Sequence, residues 1–445
     1  MHADHSETSE NNSHIARAWR RRPDAAKVGP MHHRSRSRLF LILAAVALGA
    51  ASCSDNPLDT TSPNSPIAGE INTLFWGVMI IAGIVFVLVQ GAVIYMGARF
   101  SVKGDPFDDE IVYTDEEFPE QIHGNDRLEV AWTILPALLL AVVGVFTLIT
   151  LFQLDDVDAQ PNARIDRIAV VGAQWWWEYH YYLDDGDDIV DFVTANEIVI
   201  PVDEEVRLEV TSRDVIHSFW IPKLNGKRDA VPGRVSPWTL EADNPGRFLG
   251  QCTEFCGLSH AYMRMYAWAV PVAEWDEWAA NQQTEAELPA EGTDAHAGYQ
   301  SFMNNCASCH VVNGLTSVKS GEADQLDDWE MYHLSDRIIP DKAQQVSGAA
   351  PNLTHLMTRS SFAGSIYDLY EIPDDQVDLP DDYDYVGLAE NGKVNRADLE
   401  AWIINAPEEK ANAAEQEGYR RGMPAFTGLS SEEIDNIVTF LLTLD

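Results

Sequence analysis

The alternation of apolar and polar positions divides the chain into distinct stretches. A polar stretch carrying Arg17, Arg20, Arg21, Arg22, Arg34, Arg36 and Arg38 precedes a short apolar run, Leu39 to Ala51. That run is shorter than the roughly 20 residues a membrane-spanning helix needs. With small residues leading to Cys53, residues 1–53 read as an export signal, complete even if Met31 is the true start. A polar linker over 54–70 is followed by two long apolar runs free of charged residues, Leu74 to Gly97 and Val130 to Phe152. They predict a two-helix transmembrane hairpin over 71–153; a pair of buried core helices would not need such uncharged length. Over 160–275 the pattern changes to short β-rich runs separated by Gly, Pro and Asp: Arg167–Gly172, Trp176–Leu183, Glu197–Pro201, Val206–Thr211, Ser236–Glu241, Gly246–Gln251 and Met265–Val270. This spacing predicts an all-β sandwich or barrel. A polar linker, 276–293, leads to a last domain, 294–445, which closes on an amphipathic helix, Ser431 to Leu444. Two acidic stretches, 315–347 and 371–391, interrupt that domain, and loops of this length are functional or disordered as a rule.

Charge narrows the partners. The formal net charge is −40, with 70 acidic against 30 basic residues. This excludes nucleic acid and disfavours an anionic membrane surface as partners of the soluble part. A cationic protein partner and a high-salt habitat explain it equally well. Arg99, Lys103 and Arg127 flank the two spans on their shared loop, which the positive-inside rule places in the cytoplasm. Export of the N-terminus gives the same topology, with everything beyond Leu154 outside, on the periplasmic side of a bacterial inner membrane. Ala50-Ala51-Ser52-Cys53 resembles a lipoprotein cleavage site but has Ala50 where that pattern takes a branched residue, so lipid attachment at Cys53 stays open.

The densest chemistry lies in Gln251-Cys-Thr-Glu-Phe-Cys-Gly-Leu-Ser-His-Ala-Tyr-Met263. Two thiols, an imidazole and a thioether share one short segment, and soft sulfur mixed with imidazole suits copper. Zinc has little use for the thioether, and C-x3-C is looser than the usual zinc knuckle. A Cys252–Cys256 disulfide would leave His260 and Met263 without a role. His217, in Ser212-Arg-Asp-Val-Ile-His217-Ser-Phe-Trp, supplies a further donor.

His217 together with C-x-E-x-C-G-x2-H-x2-M resembles the binuclear CuA centre of the cytochrome c oxidase subunit II family. The resemblance implies a cupredoxin-like Greek-key domain in which Cys252 and Cys256 bridge two coppers that share one electron. It implies His217 and His260 as terminal imidazoles, Met263 as a weak thioether ligand and the Glu254 carbonyl as its counterpart. In that family the Glu254 side chain also faces a magnesium ion shared with subunit I; a solvated carboxylate is the plainer reading. Gln174-Trp175-Trp176-Trp177-Glu178-Tyr179 would serve as core or interface anchors. The resemblance implies instead that Trp175 accepts the incoming electron over the copper site, with its tryptophan neighbours one or two positions away as contenders. His123-Gly-Asn-Asp-Arg-Leu-Glu129-Val-Ala-Trp132-Thr-Ile-Leu-Pro136 is similar to the start of the family's second helix, where Glu129 would lie near the mouth of a proton-uptake path. Its plainer role is an interfacial carboxylate.

Cys306-Ala-Ser-Cys309-His310 is the C-x-x-C-H attachment signature of c-type haem. The two thiols would carry the haem, and His310 would be the proximal iron ligand. A thioredoxin-like pair would not need the histidine. Met423, in Gly422-Met-Pro-Ala-Phe426, is the expected distal ligand, with Met357 as its competitor. His355 reads as a local hydrogen-bonding residue. An all-α class I cytochrome c domain follows from this resemblance.

An export signal, two spans, a CuA domain and a fused cytochrome c domain together resemble subunit II of a caa3-type haem–copper oxidase. The expectation is a chain that takes electrons from a donor such as a periplasmic cytochrome c through haem c and CuA. It would pass them to subunit I, beside subunit III, for reduction of dioxygen with proton pumping. A nitric oxide reductase using a CuA subunit and a membrane-tethered electron or copper carrier are the other classes. Glu129, the Trp-Thr-Ile-Leu-Pro run and Glu254 favour the oxidase.

Overall fold

The computed structural model describes residues 57–100, 124–154, 164–183, 190–318, 344–346, 350–371, 392–412 and 422–445. The signal expected over 1–53, with Met31 and Cys53, lies outside the described residues, as do Lys103 and most of both acidic stretches.

The two apolar runs form α1, Pro66–Phe100, and α2, Asp126–Leu154. Their large apolar side chains face outward along their length, with Leu135 69% and Phe152 73% exposed. Surface of that extent is unfavourable in water and suits the hydrocarbon of a bilayer. The start of α1 is fastened to the β domain. Ser65 caps it, accepting from the Ala68 amide at 3.0 Å, and donates its own hydroxyl to the Leu224 carbonyl at 2.5 Å. Asn64 adds two backbone bonds, to the Lys223 carbonyl and from the Asp243 amide.

The β domain contains β1 Ile165–Ala173, β2 Trp176–Leu183, β3 Phe192–Ala195, β4 Glu197–Pro201, β5 Val206–Ser212, β6 His217–Phe219, β7 Arg228–Ala230, β8 Ser236–Leu240, β9 Gly246–Gln251 and β10 Arg264–Val270. A five-stranded sheet, β3-β2-β1-β5-β8, faces a three-stranded one, β4-β10-β9, and β6 pairs with β7 as a separate ribbon. β1 runs parallel to β5 and β4 to β10; the other pairings are antiparallel. Successive side chains of a strand point to opposite faces, so Trp177, Tyr179 and Tyr181 of β2 enter the core, each 0% exposed. Tyr182 lies on the other face under the Arg167 guanidinium, 3.7 Å from its ring centre.

All seven predicted strands are present within a residue or two. β3, β6 and β7 were not expected, because three or four residues are too few for a period-two pattern to register. A further helix, α3, spans Val272–Gln282, so residues 276–282 of the expected linker are helical. Trp275 and Trp278 on α3 are each 3% exposed, and Trp278 meets Tyr181 at 5.5 Å and Phe192 at 5.4 Å.

Beyond residue 293 come α4 Asp294–Asn305, α5 Arg396–Glu409 and α6 Ser431–Leu441, and contrary to expectation the region is not all-α: Thr316–Val318 pairs with Gln344–Val346, and Ser361–Phe362 with Tyr367–Asp368. α6 starts from a capping box: Ser430 accepts from the Glu433 amide and Glu433 accepts from the Ser430 amide. α5 is kinked at Asn405, two residues before Pro407. This region is joined to the β domain by buried polar contacts. Glu197, 1% exposed at the start of β4, accepts from the Ser360 amide at 2.9 Å, the Ser360 hydroxyl at 2.6 Å and the Ser361 hydroxyl at 2.5 Å. Arg247 stacks 3.6 Å from the Tyr266 ring centre and donates to Asp368 at 2.6 Å.

α4 and α6 cross where Gly298 permits it. A Cβ at that position would lie 1.8 Å from the Asn436 carbonyl oxygen, and Phe302 and Phe440 pack beside it with ring centres 5.2 Å apart. Gly298→Ala is therefore expected to cost about 2–3 kcal/mol by overpacking. Urea denaturation of the full chain in detergent measures this, and an unshifted midpoint would contradict so close a crossing.

Candidate metal centre

The loop between β9 and β10 folds back on itself before carrying any donor. The Cys252 amide bonds the Met263 carbonyl at 2.9 Å, and the Thr253 amide bonds the Ser218 carbonyl at 3.0 Å, tying the loop to the β6 ribbon. From the facing strand turn, the Gln174 side chain and the Trp175 indole both donate to the Cys256 carbonyl, at 2.6 and 3.1 Å. Gly257 takes φ +117° here, with the Trp175 ring 3.2 Å from where a Cβ would stand.

The donors then converge. The two sulfurs stand 3.8 Å apart, far beyond the roughly 2.05 Å of a disulfide. The His217 Nδ1 lies 3.9 Å from the Cys252 sulfur, and the His260 Nδ1 lies 3.6 Å from that of Cys256. The Met263 thioether is 3.8 Å from Cys256, and the Glu254 carbonyl is 3.2 Å from Cys252. His217, Cys252, Cys256 and Met263 are buried, whereas the Glu254 side chain is exposed. Thiolate, imidazole, thioether and carbonyl donors grouped in this way fit a copper site and suit no hard cation. The hydrogen bond between the two sulfurs holds the Cys252 thiol below its ordinary pKa and, with burial, pushes Cys256 up.

Asp214 orients His217, a contact the sequence reading missed although the two lie three residues apart. The His217 Nε2–H donates to Asp214 at 3.0 Å, which leaves Nδ1 facing the cysteines. Asp214 is held in turn by the Gln174 amide at 2.8 Å and the Val215 amide at 2.7 Å. Gly172 makes room for the imidazole: a Cβ there would meet the ring Cδ2 at 2.7 Å. Trp177 packs edge-on to the same ring at 5.9 Å.

Residues 183–270 match the family described as cytochrome C oxidase subunit II, periplasmic domain, and residues 57–150 match its transmembrane domain. A cytochrome c oxidase subunit 2 of Alkalihalophilus pseudofirmus is 36% identical over 288 residues, which cover 64% of this chain and 79% of that one. The chain belongs to the cytochrome c oxidase subunit II family. One from Bacillus sp. (strain PS3) is 31% identical, over 62% of this chain and 77% of that one. The crystal structure of the periplasmic domain of subunit II of cytochrome oxidase from Bradyrhizobium japonicum is 34% identical over 28% of this chain and 96% of that one, with a TM-score of 0.25. The chain is thus a two-pass membrane protein, a subunit of the oxidoreductase complex, with a cupredoxin-like β domain whose family implies CuA copper.

The other expected positions fall as follows. Trp175 lies over the copper loop but is only 4% exposed: its indole rests on the Cys256 carbonyl and Gly257, and Lys410 and Gly364 stand against its backbone carbonyl. Lys410 donates to the Trp175 carbonyl at 2.7 Å and to the Ala363 carbonyl at 3.0 Å, and burial pushes its pKa down to about 7. Nothing in the local sequence signals a buried lysine there. Glu129 sits in the first turn of α2 and accepts from the Asn125 amide at 3.3 Å. Cys306 is buried, Cys309 exposed, and neither forms a disulfide. The His310 Nδ1–H donates to the Pro351 carbonyl at 2.8 Å, which fixes the ring and leaves Nε2 for a ligand bond. Burial lowers the His310 pKa, which favours the neutral imidazole. Met423 packs at the edge of the core, and Asn412 donates to its carbonyl at 3.0 Å. Met357 is buried, with its amide on the Leu444 carbonyl, and His355 bridges to the Thr284 carbonyl at 3.1 Å.

Asp214→Ala would free the His217 ring. Copper affinity is expected to fall by roughly 10- to 100-fold, measured by competition against a copper chelator, and an unchanged affinity would remove Asp214 from the orienting role.

Proposed function

We propose that this chain is subunit II of a caa3-type oxidase, accepting electrons through a covalent haem c and a CuA centre. Cys306 and Cys309 would hold the haem, with His310 and Met423 as its axial ligands. His217, Cys252, Glu254, Cys256, His260 and Met263 would hold the copper pair. Residues 294–445 would form a cytochrome c domain and residues 160–275 the CuA domain, both on the periplasmic side of the inner membrane. Electrons would leave toward subunit I, which reduces dioxygen, with a cytochrome c as outside donor. Trp175 and Glu129 keep their proposed parts in electron acceptance and proton uptake, and Glu254 its part at a magnesium ion.

The observation that carries this reading is the pairing of two ready donor sets on one chain. One is a buried group of two thiols and the His217 imidazole with no disulfide between the cysteines. The other is a C-x-x-C-H segment whose histidine is already held in the ligating tautomer by Pro351. Haem would supply one-electron storage, and the chain's part is to fix the ring and shield it. His310 is oriented by the Pro351 carbonyl, while the Asn352 amide group bonds Asn313 at 3.2 Å and keeps that segment against the attachment site.

Metal and optical analysis of the purified full chain tests it. Two coppers with the bands of a mixed-valence thiolate pair, together with one low-spin haem c, are expected. A single zinc, or a Cys252–Cys256 disulfide, would sink the copper assignment. Met423→Ala should lower the haem potential and open the iron to carbon monoxide, since a thioether ligand raises the potential. If Met357→Ala did so instead, the distal ligand would be Met357.

A further inference from the structure

Three consecutive residues after α5 touch both proposed cofactor sites. Lys410 is 6% exposed and grips the carbonyl of Trp175, whose indole in turn donates to the Cys256 carbonyl. The Ala411 carbonyl accepts from the hydroxyl of Ser259, the residue before His260. Asn412 donates to the Met423 carbonyl at 3.0 Å, and its side chain lies against Gly422, where a Cβ would stand 2.5 Å away. Gly422 has φ +104°, a conformation that favours glycine. The same side of the strap is closed by Gly364, whose missing Cβ would lie 2.4 Å from the Lys410 ammonium and 3.0 Å from the Tyr262 carbonyl. The Arg264 amide bonds the Gly364 carbonyl at 3.3 Å.

We propose that Lys410-Ala411-Asn412 is a positioning strap that holds Met423 in register with the copper loop. The strap thereby fixes the separation over which an electron passes between the two sites. The inference rests on the haem and copper assignments above and adds a role for residues that ligate nothing. An ammonium sunk among carbonyls is costly unless its bonds are kept, so the strap favours one docked arrangement over a tethered swarm of them. A flexible linker alone would give only a high effective concentration. One electron lost by the haem iron is gained by the copper pair, so no further reactant is needed.

The test uses the full chain loaded with copper and haem, as Lys410→Met and Asn412→Ala. Both variants should keep the wild-type copper and haem spectra. Amide hydrogen exchange over 361–366 should rise, because local opening no longer breaks the strap's bonds. After a one-electron photoreduction of the haem, redistribution to the copper should slow by on the order of tenfold or more and become dependent on salt and viscosity. That last change would not follow from a loss of stability alone. Wild-type exchange and a wild-type, salt-independent rate in both variants would overturn the strap. If Lys410→Met does not assemble, Ser259→Ala takes its place and the same two outcomes decide. A wild-type chain without haem or without the copper pair would defeat the underlying assignment instead.

Discussion

Two buried thiols held 3.8 Å apart set the terms for the rest of this structure. Two sulfurs, the His217 ring nitrogen and a thioether buried together, with the half-buried His260 beside them, leave too few donors to satisfy so many acceptors, unless a soft cation takes them up. The protein commits to that arrangement through backbone bonds rather than through the ligands themselves. Cys252 and Met263 close the loop, Thr253 ties it to Ser218, and Gln174 and Trp175 hold the Cys256 carbonyl. The sandwich behind them supplies the rigidity that a loop lacks. A site arranged in advance loses little freedom when metal arrives.

How legible each part was follows from sequence distance. The ligand loop is compact, and its spacing alone brings thiols, imidazole and thioether together. The spans announce themselves by uncharged length, and the longer strands by their composition. The missed parts have weak or distant signals. β6 and β7 are too short to show a period, and most of α3, with Trp278, falls in a stretch that reads as polar. Asp214 was within reach, because a carboxylate three residues before a ligand histidine is a ready partner for its second nitrogen. Glu197 with Ser360 and Ser361, and Lys410 with Trp175, were not. Those partners are separated by 163, 164 and 235 positions, and no local pattern connects them.

Two of the contacts between the β domain and the C-terminal region, at Glu197 and Lys410, differ in kind from an exposed charge pair. A surface ion pair contributes little and fades in salt. Glu197 is instead a buried carboxylate satisfied by one amide and two hydroxyls, and Lys410 a buried ammonium satisfied by two carbonyls. Glu197 is met entirely by dipoles of the C-terminal region and Lys410 by one carbonyl from each region, so separation would leave either charge short of partners. A chain carrying a net charge of −40 gains from a contact that does not depend on its surface field.

The fastening of α1 has a mechanical meaning. Thirty-five residues at 1.5 Å each make a rod of about 52 Å, against a hydrocarbon layer of about 30 Å. Its first turns therefore stand clear of the lipid, and Ser65 and Asn64 bolt them to the β domain with no slack chain between. The copper domain is mounted on a post rather than hung from a cord. A tilt of the span would therefore be carried into the β domain as rotation rather than taken up by a hinge.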